Sequence, residues 1–264
     1  MTAVIEVKNV CKIFGGTQAA APGAVVAIKS VDLRVTRGEF VCLLGPSGCG
    51  KSTLLDIIGG LEPPTAGAIM VEGQAIHGPS PKMAMVFQPM SLFPWRTALA
   101  NVELGLELKG VGAGARRQTA MAMIELVGLL GFEDKYPAQL SGGMNQRIAI
   151  ARALALDPDI LLMDEPFGAL DEQTRRLMGS ELLRIWDRTG KTIVFVTHSI
   201  DEAIQLSDRI VLMSARPSTI REEILVPLPR PRTIESLTSD VANSIERRIW
   251  GALMDEVGSA ASHA

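Results

Sequence analysis

The sequence predicts an α/β fold with a mostly parallel sheet, an antiparallel β part at the N-terminus and an inserted helical subdomain. Three continuous apolar runs, at 40–44, 160–163 and 192–196, have the composition of central parallel strands that are covered on both faces. Each run is followed by a turn and a helical pattern, which is the alternation of an α/β protein. Residues 89–158 instead show apolar residues at three- and four-residue spacing and little strand pattern, which predicts the helical insertion.

The elements follow in chain order from these patterns. Residues 3–10 and 27–35 alternate apolar and polar side chains, as half-buried strands do, and form the N-terminal β part. The Gly- and Ala-rich stretch 15–24 between them predicts a loop. The helical patterns after the three apolar runs begin at Lys51, span 171–188 and span 200–206.

A proline-rich connector, VPLPRPRT, precedes a final helix in which apolar residues recur every four positions from Leu237 to Leu253. We therefore predict four segments: 1–88 as the first part of the α/β core, 89–158 as the helical subdomain, 159–225 as the second part of the core, and 226–264 as the connector and last helix.

The composition excludes several classes of protein. The 264 residues are 47% apolar with a net charge of -3, and Lys and Arg form no cluster of the kind that binds duplex nucleic acid. Three cysteines without metal-ligand spacing favour a reducing cytosol. The N-terminus lacks a secretory pattern, and no window of about 18 apolar residues predicts a membrane helix.

A phosphate-binding loop is predicted at GPSGCGKST, between an apolar strand and a helix. Its glycines allow a tight turn that directs backbone N–H groups at phosphate oxygens, and the helix N-terminus favours the same anion. Lys51 is expected to reach the β- and γ-phosphates and Ser52 to ligate Mg²⁺. The predicted nucleotide-binding residues of the loop are Gly45, Pro46, Ser47, Gly48, Cys49, Gly50, Lys51, Ser52 and Thr53.

Further polar residues end the apolar strands, where open α/β sheets bind their ligands. Asp164 is the expected partner of Mg²⁺ and Glu165 the expected base that polarises water, although an Asp in this position also caps helices. His198 can reach a γ-phosphate and the amide of Gln88 can touch both Mg²⁺ and water. Either residue taken singly also fits an ordinary packing or surface role.

Taken in order, GPSGCGKST, Gln88, LSGGMNQR, ILLMDEP, GALD and His198 resemble the ATP-binding subunit of ABC transporters, over about residues 4 to 230. The resemblance implies an ATPase of the P-loop type with ATP and Mg²⁺ as cofactors. It implies Glu165 as general base, Asp164 as magnesium partner, His198 as switch histidine and Gln88 as the residue that links nucleotide to transport.

The resemblance also implies a head-to-tail homodimer in which each ATP lies between the phosphate loop of one chain and LSGGM of the other. Ser141 would offer its hydroxyl to the γ-phosphate, and Gly142 and Gly143 would allow close backbone approach. Asp171 ends the loop that crosses between subunits, in which Gly168 departs from the commoner Ser. Asn145 replaces a commoner Gln at no expected functional cost.

Two expectations concern single side chains of the nucleotide site. Phe14 stands where the family has an aromatic residue that stacks on adenine, and a core Phe at a strand end is the alternative. Cys49 lies at a helix N-terminus, which is expected to lower its pKa and make it reactive toward thiol reagents.

Residues 91–110 and 214–233 resemble the ATPases of nitrate, sulfonate and taurine importers. The aromatic residues Phe93 and Trp95 are read either as local packing or as the lining of a groove for a membrane subunit. The expected partners are a second copy of the chain, integral membrane permease subunits and indirectly a solute-binding protein, at the cytoplasmic face of the inner membrane and without nucleic acid. Alternatives are a soluble ABC-type ATPase acting on DNA or the ribosome, and a kinase-like P-loop enzyme.

Overall fold

The structure, a computed structural model, describes residues 2–16, 23–87 and 92–261. Ten strands and eight α-helices are described there, with a short 3-10 helix at Pro137–Gln139. In chain order they are β1 Ala3–Phe14, β2 Val25–Thr36, β3 Phe40–Leu44, α1 Lys51–Ile58, β4 Ala66–Val71, β5 Gln74–Ala75, β6 Met83–Val86, α2 Ala98–Leu108, α3 Ala113–Leu126, α4 Gly142–Leu154, β7 Ile160–Asp164, α5 Glu172–Thr189, β8 Thr192–Thr197, α6 Ile200–Leu206, β9 Arg209–Met213, β10 Ser218–Leu225, α7 Ile234–Leu237 and α8 Asp240–Ala261.

The chain forms two compact units. The first unit combines Met1–Ser80 with Thr192–Ala264, and the second is Pro81–Lys191. The four-segment division drawn from the sequence remains a prediction.

The first unit contains the antiparallel and most of the parallel strands. Its strands lie in the order β5-β4-β1-β2-β10-β9-β3-β8. Strand β1 runs antiparallel to β2 and β4, while β3 runs parallel to both β8 and β9. The predicted combination of an N-terminal antiparallel part with a parallel core is therefore confirmed.

The core of the first unit sits around β3 and β8, in which every residue is buried. The rings of Phe40 and Phe195 have centroids 5.9 Å apart and are fully buried. Each such ring stabilises the fold by about 1.5–3 kcal/mol relative to an exposed one. Leu54 and Ile58 on α1 are also buried, so the helix after the phosphate loop has its inner face in this core.

The second unit contains the helices predicted in the middle of the chain. Helices α2, α3 and α4 pack on one another, with Val102, Ile124 and Ile148 fully buried. Strands β6 and β7 run parallel in this unit, with Met83 opposite Ile160.

The sequence patterns missed β4, β5 and β10, because each is short or exposes several residues. They also missed β9, although its four buried apolar residues form a continuous run like those of the predicted strands. The last helix is confirmed as α8, although Leu237 belongs to the separate short helix α7. No helix in the described ranges combines the length and apolar character that a bilayer crossing requires.

Candidate active site

The phosphate loop of the first unit connects β3 to α1, which begins at Lys51 as predicted. Gly48 has φ +73° and Gly50 has φ +114°, a region that residues with a Cβ rarely adopt. A Cβ on Gly45 would lie 2.8 Å from the backbone oxygen of Met213. The loop conformation therefore requires glycine at these three positions.

Lys51 is 4% exposed, and its Nζ donates to the carbonyl oxygens of Gly45 at 2.8 Å and Pro46 at 2.9 Å. Gly50 is the N-cap of α1 and contributes no side chain to the first N–H groups of the helix. A buried lysine, a helix N-terminus without a side-chain cap and a glycine backbone together fit a polyphosphate. Ser52 follows on the exposed side of α1.

Cys49 contradicts the expectation that it is an activated thiol. It is 2% exposed, and desolvation by burial raises the pKa of its thiol above the ordinary value. The nearby charge of Lys51 lowers that pKa by a smaller amount. The helix N-terminus does not prevail because burial penalises the thiolate more than the helix favours it.

His198 follows β8 directly and is exposed, so its imidazole is accessible to a ligand. The turn around it is held by neighbours that the sequence reasoning missed. Thr197 is buried; its hydroxyl donates to the carboxylate of the buried Glu202 and accepts from the backbone N–H of Ser199 at 2.9 Å. Ser199 in turn caps α6 by accepting from the Glu202 N–H at 3.3 Å. A carboxylate four residues after His198 was the available sequence signal.

Phe14 ends β1 and is 42% exposed, so the alternative of a core phenylalanine is excluded. The Nζ of Lys12 lies 5.0 Å from the ring centroid in a cation–π contact. Lys12 is itself held by Glu62 and by the carbonyl oxygen of Pro63. The ring is thus fixed at the surface with an accessible aromatic face.

In the second unit, LSGGM forms the N-terminus of α4. Ser141 is the exposed N-cap, and its Oγ accepts from the Met144 N–H at 3.3 Å. Since this bond uses an acceptor lone pair, the hydroxyl proton can still be donated to an anion. Gly142 is exposed beside it, whereas Gly143 is buried, where a Cβ would lie 3.2 Å from Cγ2 of Thr174.

Asn145 supports this helix start. Its Nδ2 donates to the carbonyl oxygen of Pro137 at 2.9 Å, so the amide ties α4 to the preceding 3-10 helix. The amide that stands in place of the commoner Gln therefore helps to hold the start of α4.

Asp164 and Glu165 lie at the end of β7 and are both half-buried. Glu165 has φ +41°, which is unusual for a residue with a side chain and turns the chain sharply after the strand. The carbonyl oxygen of Glu165 accepts from the Gly168 N–H at 3.1 Å and closes that turn. Strained backbone of this kind clusters at functional sites.

Asp171 is the N-cap of α5. Its Oδ1 accepts from the Thr174 N–H at 2.9 Å and its Oδ2 from the Thr174 hydroxyl at 2.7 Å. These bonds, the backbone one first, lower the pKa of Asp171, so the carboxylate is charged at neutral pH. The predicted residue Gln88 lies outside the described residues.

Comparison with known proteins identifies the family. A model described as "ABC transporter" matches residues 28–168. An ABC transporter ATP-binding protein of Methanocaldococcus jannaschii is 49% identical over 97% of this chain and 94% of its own length. A nitrate import ATP-binding protein of Synechocystis sp. is 48% identical over 85% of this chain and 83% of its own, and an aliphatic sulfonates import ATP-binding protein of Bacillus cereus is 45% identical over 88% and 90%.

Among solved structures, a dimeric ATP-binding cassette bound to ADP and phosphate matches with TM-score 0.72 and 36% identity, covering 84% of this chain and 98% of the cassette. The resemblance drawn from the motifs is thereby confirmed. The fold class is likewise that of an ABC cassette with a P-loop NTPase core. The chain belongs to the ABC transporter family and is one of its ATP-binding, ATP-hydrolysing subunits.

Proposed function

We propose that this ATPase powers an importer for nitrate, a sulfonate, taurine or a similar small solute through a separate membrane permease. The support for an importer comes from the relatives, whose names include nitrate import and aliphatic sulfonates import. The protein then acts as a peripheral subunit at the cytoplasmic face of the membrane, and a solute-binding protein delivers the solute to the permease.

The proposed chemistry assigns a separate role to each predicted site residue. Lys51 and the loop N–H groups bind the phosphates of ATP, and Phe14 stacks on adenine. Glu165 accepts the proton of the attacking water, and His198 contacts the γ-phosphate.

Magnesium is expected with the nucleotide. Within the described ranges no group of three or more His, Cys, Asp or Glu is placed to hold a metal. Mg²⁺ needs no such group, because it is usually bound by one or two protein oxygens together with substrate phosphates. Ser52, Asp164 and Gln88 are the proposed protein contacts. When bound, the ion neutralises charge on the β- and γ-phosphates.

The exposed N-terminus of α4 is the observation that carries the proposed dimer. Ser141 and Gly142 present a hydroxyl, a bare backbone and the positive end of a 13-residue helix at the surface of the chain. The phosphate loop already supplies such a cradle. A second cradle is explained if it faces the nucleotide held by another copy, as in a head-to-tail dimer.

A mixed dimer of Lys51→Ala and Gly142→Asp chains tests this sharing. Both defects fall in one composite site, so the other site stays intact, and a 1:1 mixture should recover about a quarter of the parent ATPase rate. Each homodimer has a defect in both sites and should be inactive. If the mixture is as inactive as the homodimers, each site lies within one chain and the proposal fails.

Glu165→Gln tests the catalytic role separately. The variant should lose at least about 100-fold in phosphate release, because general base catalysis contributes that much, while ATP binding persists. Gel filtration with ATP should then show a stable dimer. Near-normal turnover would remove Glu165 from the mechanism.

The surface around Trp95 supports a permease partner. Trp95 is 71% exposed, with its ring centroid 5.5 Å from that of Phe93 in an edge-on pair. The loop is rigid, because the buried Asn101 bonds to the backbone of Phe93, Arg96 and Thr97. An exposed aromatic on a fixed loop is typical of a partner surface.

Reconstitution with the permease that this ATPase is proposed to power tests the transport role against the alternative of action on DNA or the ribosome. The proposal predicts that ATP hydrolysis rises when permease and loaded binding protein are present in liposomes. Stimulation by DNA or ribosomes but not by the permease would favour the alternative.

A further inference from the structure

The turn between β9 and β10, together with the strand ends on either side of it, packs along the phosphate loop. The backbone oxygen of Met213 lies where a Cβ on Gly45 would clash, and Ser218 is fully buried with its Cβ 3.8 Å from where a Cβ on Gly50 would lie. Between them, Nη2 of Arg216 donates to the carbonyl oxygen of Gly48 at 2.6 Å. The end of β9, the turn and the start of β10 thus meet three glycines of the loop.

The turn is itself held in place. The Ser214 N–H donates to the carbonyl oxygen of Thr219, and the Thr219 N–H donates to Oγ of Ser214, both at 3.0 Å. Since Ser218 is buried beyond it, the turn holds the base of the Arg216 side chain against the loop.

The charge of Arg216 is not neutralised within the described part of the chain. Its partner is a neutral carbonyl, and no ion pair among the described residues includes it. By contrast, Arg248 on α8 pairs with Glu222 of β10. A full positive charge therefore lies at the outer side of the loop that holds polyphosphate, next to a helix N-terminus of the same sign.

We propose that Arg216 strengthens the binding of nucleotide phosphates by supplying a second positive charge to the phosphate loop beside Lys51. This inference rests on the proposed assignment of Gly45 to Thr53 as the phosphate loop. Arg216 is exposed, so its effect on the phosphates is a long-range attraction that salt screens. It acts on the phosphates and not on the nucleoside.

The test compares Arg216→Ala, Arg216→Lys and the matched control Arg248→Ala, which removes the same charge away from the loop. Dissociation constants of ATP and of adenosine are measured by displacement of a fluorescent ATP analogue in magnesium-free buffer. At low salt, Arg216→Ala should raise the dissociation constant of ATP about three- to tenfold and leave that of adenosine unchanged. Arg216→Lys should recover most of the affinity, Arg248→Ala should stay within about twofold of the parent, and 1 M salt should reduce the Arg216→Ala effect.

The inference is overturned if Arg216→Ala binds ATP with the same affinity as Arg248→Ala, or if it loses as much affinity for adenosine as for ATP. It is also overturned if Arg216→Lys binds ATP no more tightly than Arg216→Ala, or if 1 M salt leaves the loss of ATP affinity unchanged. Should Arg216→Ala not fold, Arg216→Gln replaces it, because it keeps a donor without the charge, and the same outcomes apply. Lys51→Ala separates the two proposals. If Lys51→Ala also leaves ATP affinity unchanged, the assignment of the phosphate loop itself fails. If Lys51→Ala lowers ATP affinity and Arg216→Ala does not, only the proposed role of Arg216 is refuted.

Discussion

Replacement of Asn101 by alanine should destabilise the second unit and release the loop that presents Trp95. Asn101 is fully buried on α2. Its Oδ1 accepts from the Phe93 N–H at 2.8 Å, and its Nδ2 donates to the carbonyl oxygens of Phe93, Arg96 and Thr97 at 3.0–3.2 Å. One residue therefore ties the whole turn before the helix.

The magnitude follows from these bonds. Nδ2 carries two protons, so its three contacts amount to two full hydrogen bonds, and Oδ1 adds a third. At about 1 kcal/mol each the total is about 3 kcal/mol, reduced to about 2–3 because part of the freed loop can bond to water. Asn101→Asp has the same shape but turns a carboxylate toward the carbonyl oxygens, so it should lose at least as much.

Urea unfolding followed by tryptophan fluorescence measures this loss. Asn101→Ala should lower the midpoint by about 1 M, since the slope for a small protein is about 1–3 kcal/mol/M. Below the transition, the variant should keep ATP affinity, because the phosphate loop lies in the first unit. A loss of stability under about 0.5 kcal/mol, or an aspartate variant as stable as the parent, would refute the reasoning.

Three further predictions concern other residues. Gly45→Ala should abolish ATP binding, because the added Cβ would lie 2.8 Å from the backbone oxygen of Met213. Equilibrium dialysis that shows the parent affinity for ATP would contradict this prediction. At pH 8, iodoacetamide should alkylate Cys49 more slowly than the more exposed Cys11, because the raised pKa of Cys49 keeps its thiol protonated until higher pH. Peptide mapping that shows equal alkylation rates would contradict the burial argument. Trp95→Ala should change stability by less than about 0.5 kcal/mol and leave the ATPase rate of the isolated protein intact, while the permease no longer stimulates it; unchanged stimulation would place the contact elsewhere.

The sequence by itself determined the family, the parallel core and the end of β8 that carries His198. These features depend on local signals, because a continuous apolar run, a Gly-rich turn and a helix start are each written in neighbouring residues. The helix α5 began where Asp171 predicted it for the same reason.

The tertiary structure decided what depends on residues far apart in the chain. The sequence predicted an activated Cys49, but burial in the fold raises its pKa instead. Arg216 stands 168 positions from Gly48 in the sequence. The two residues meet only because β9 pairs in parallel with β3, which places the loops that follow these strands side by side. Local patterns report backbone conformation, whereas desolvation and long-range contacts are set by packing, and these came from the structure alone.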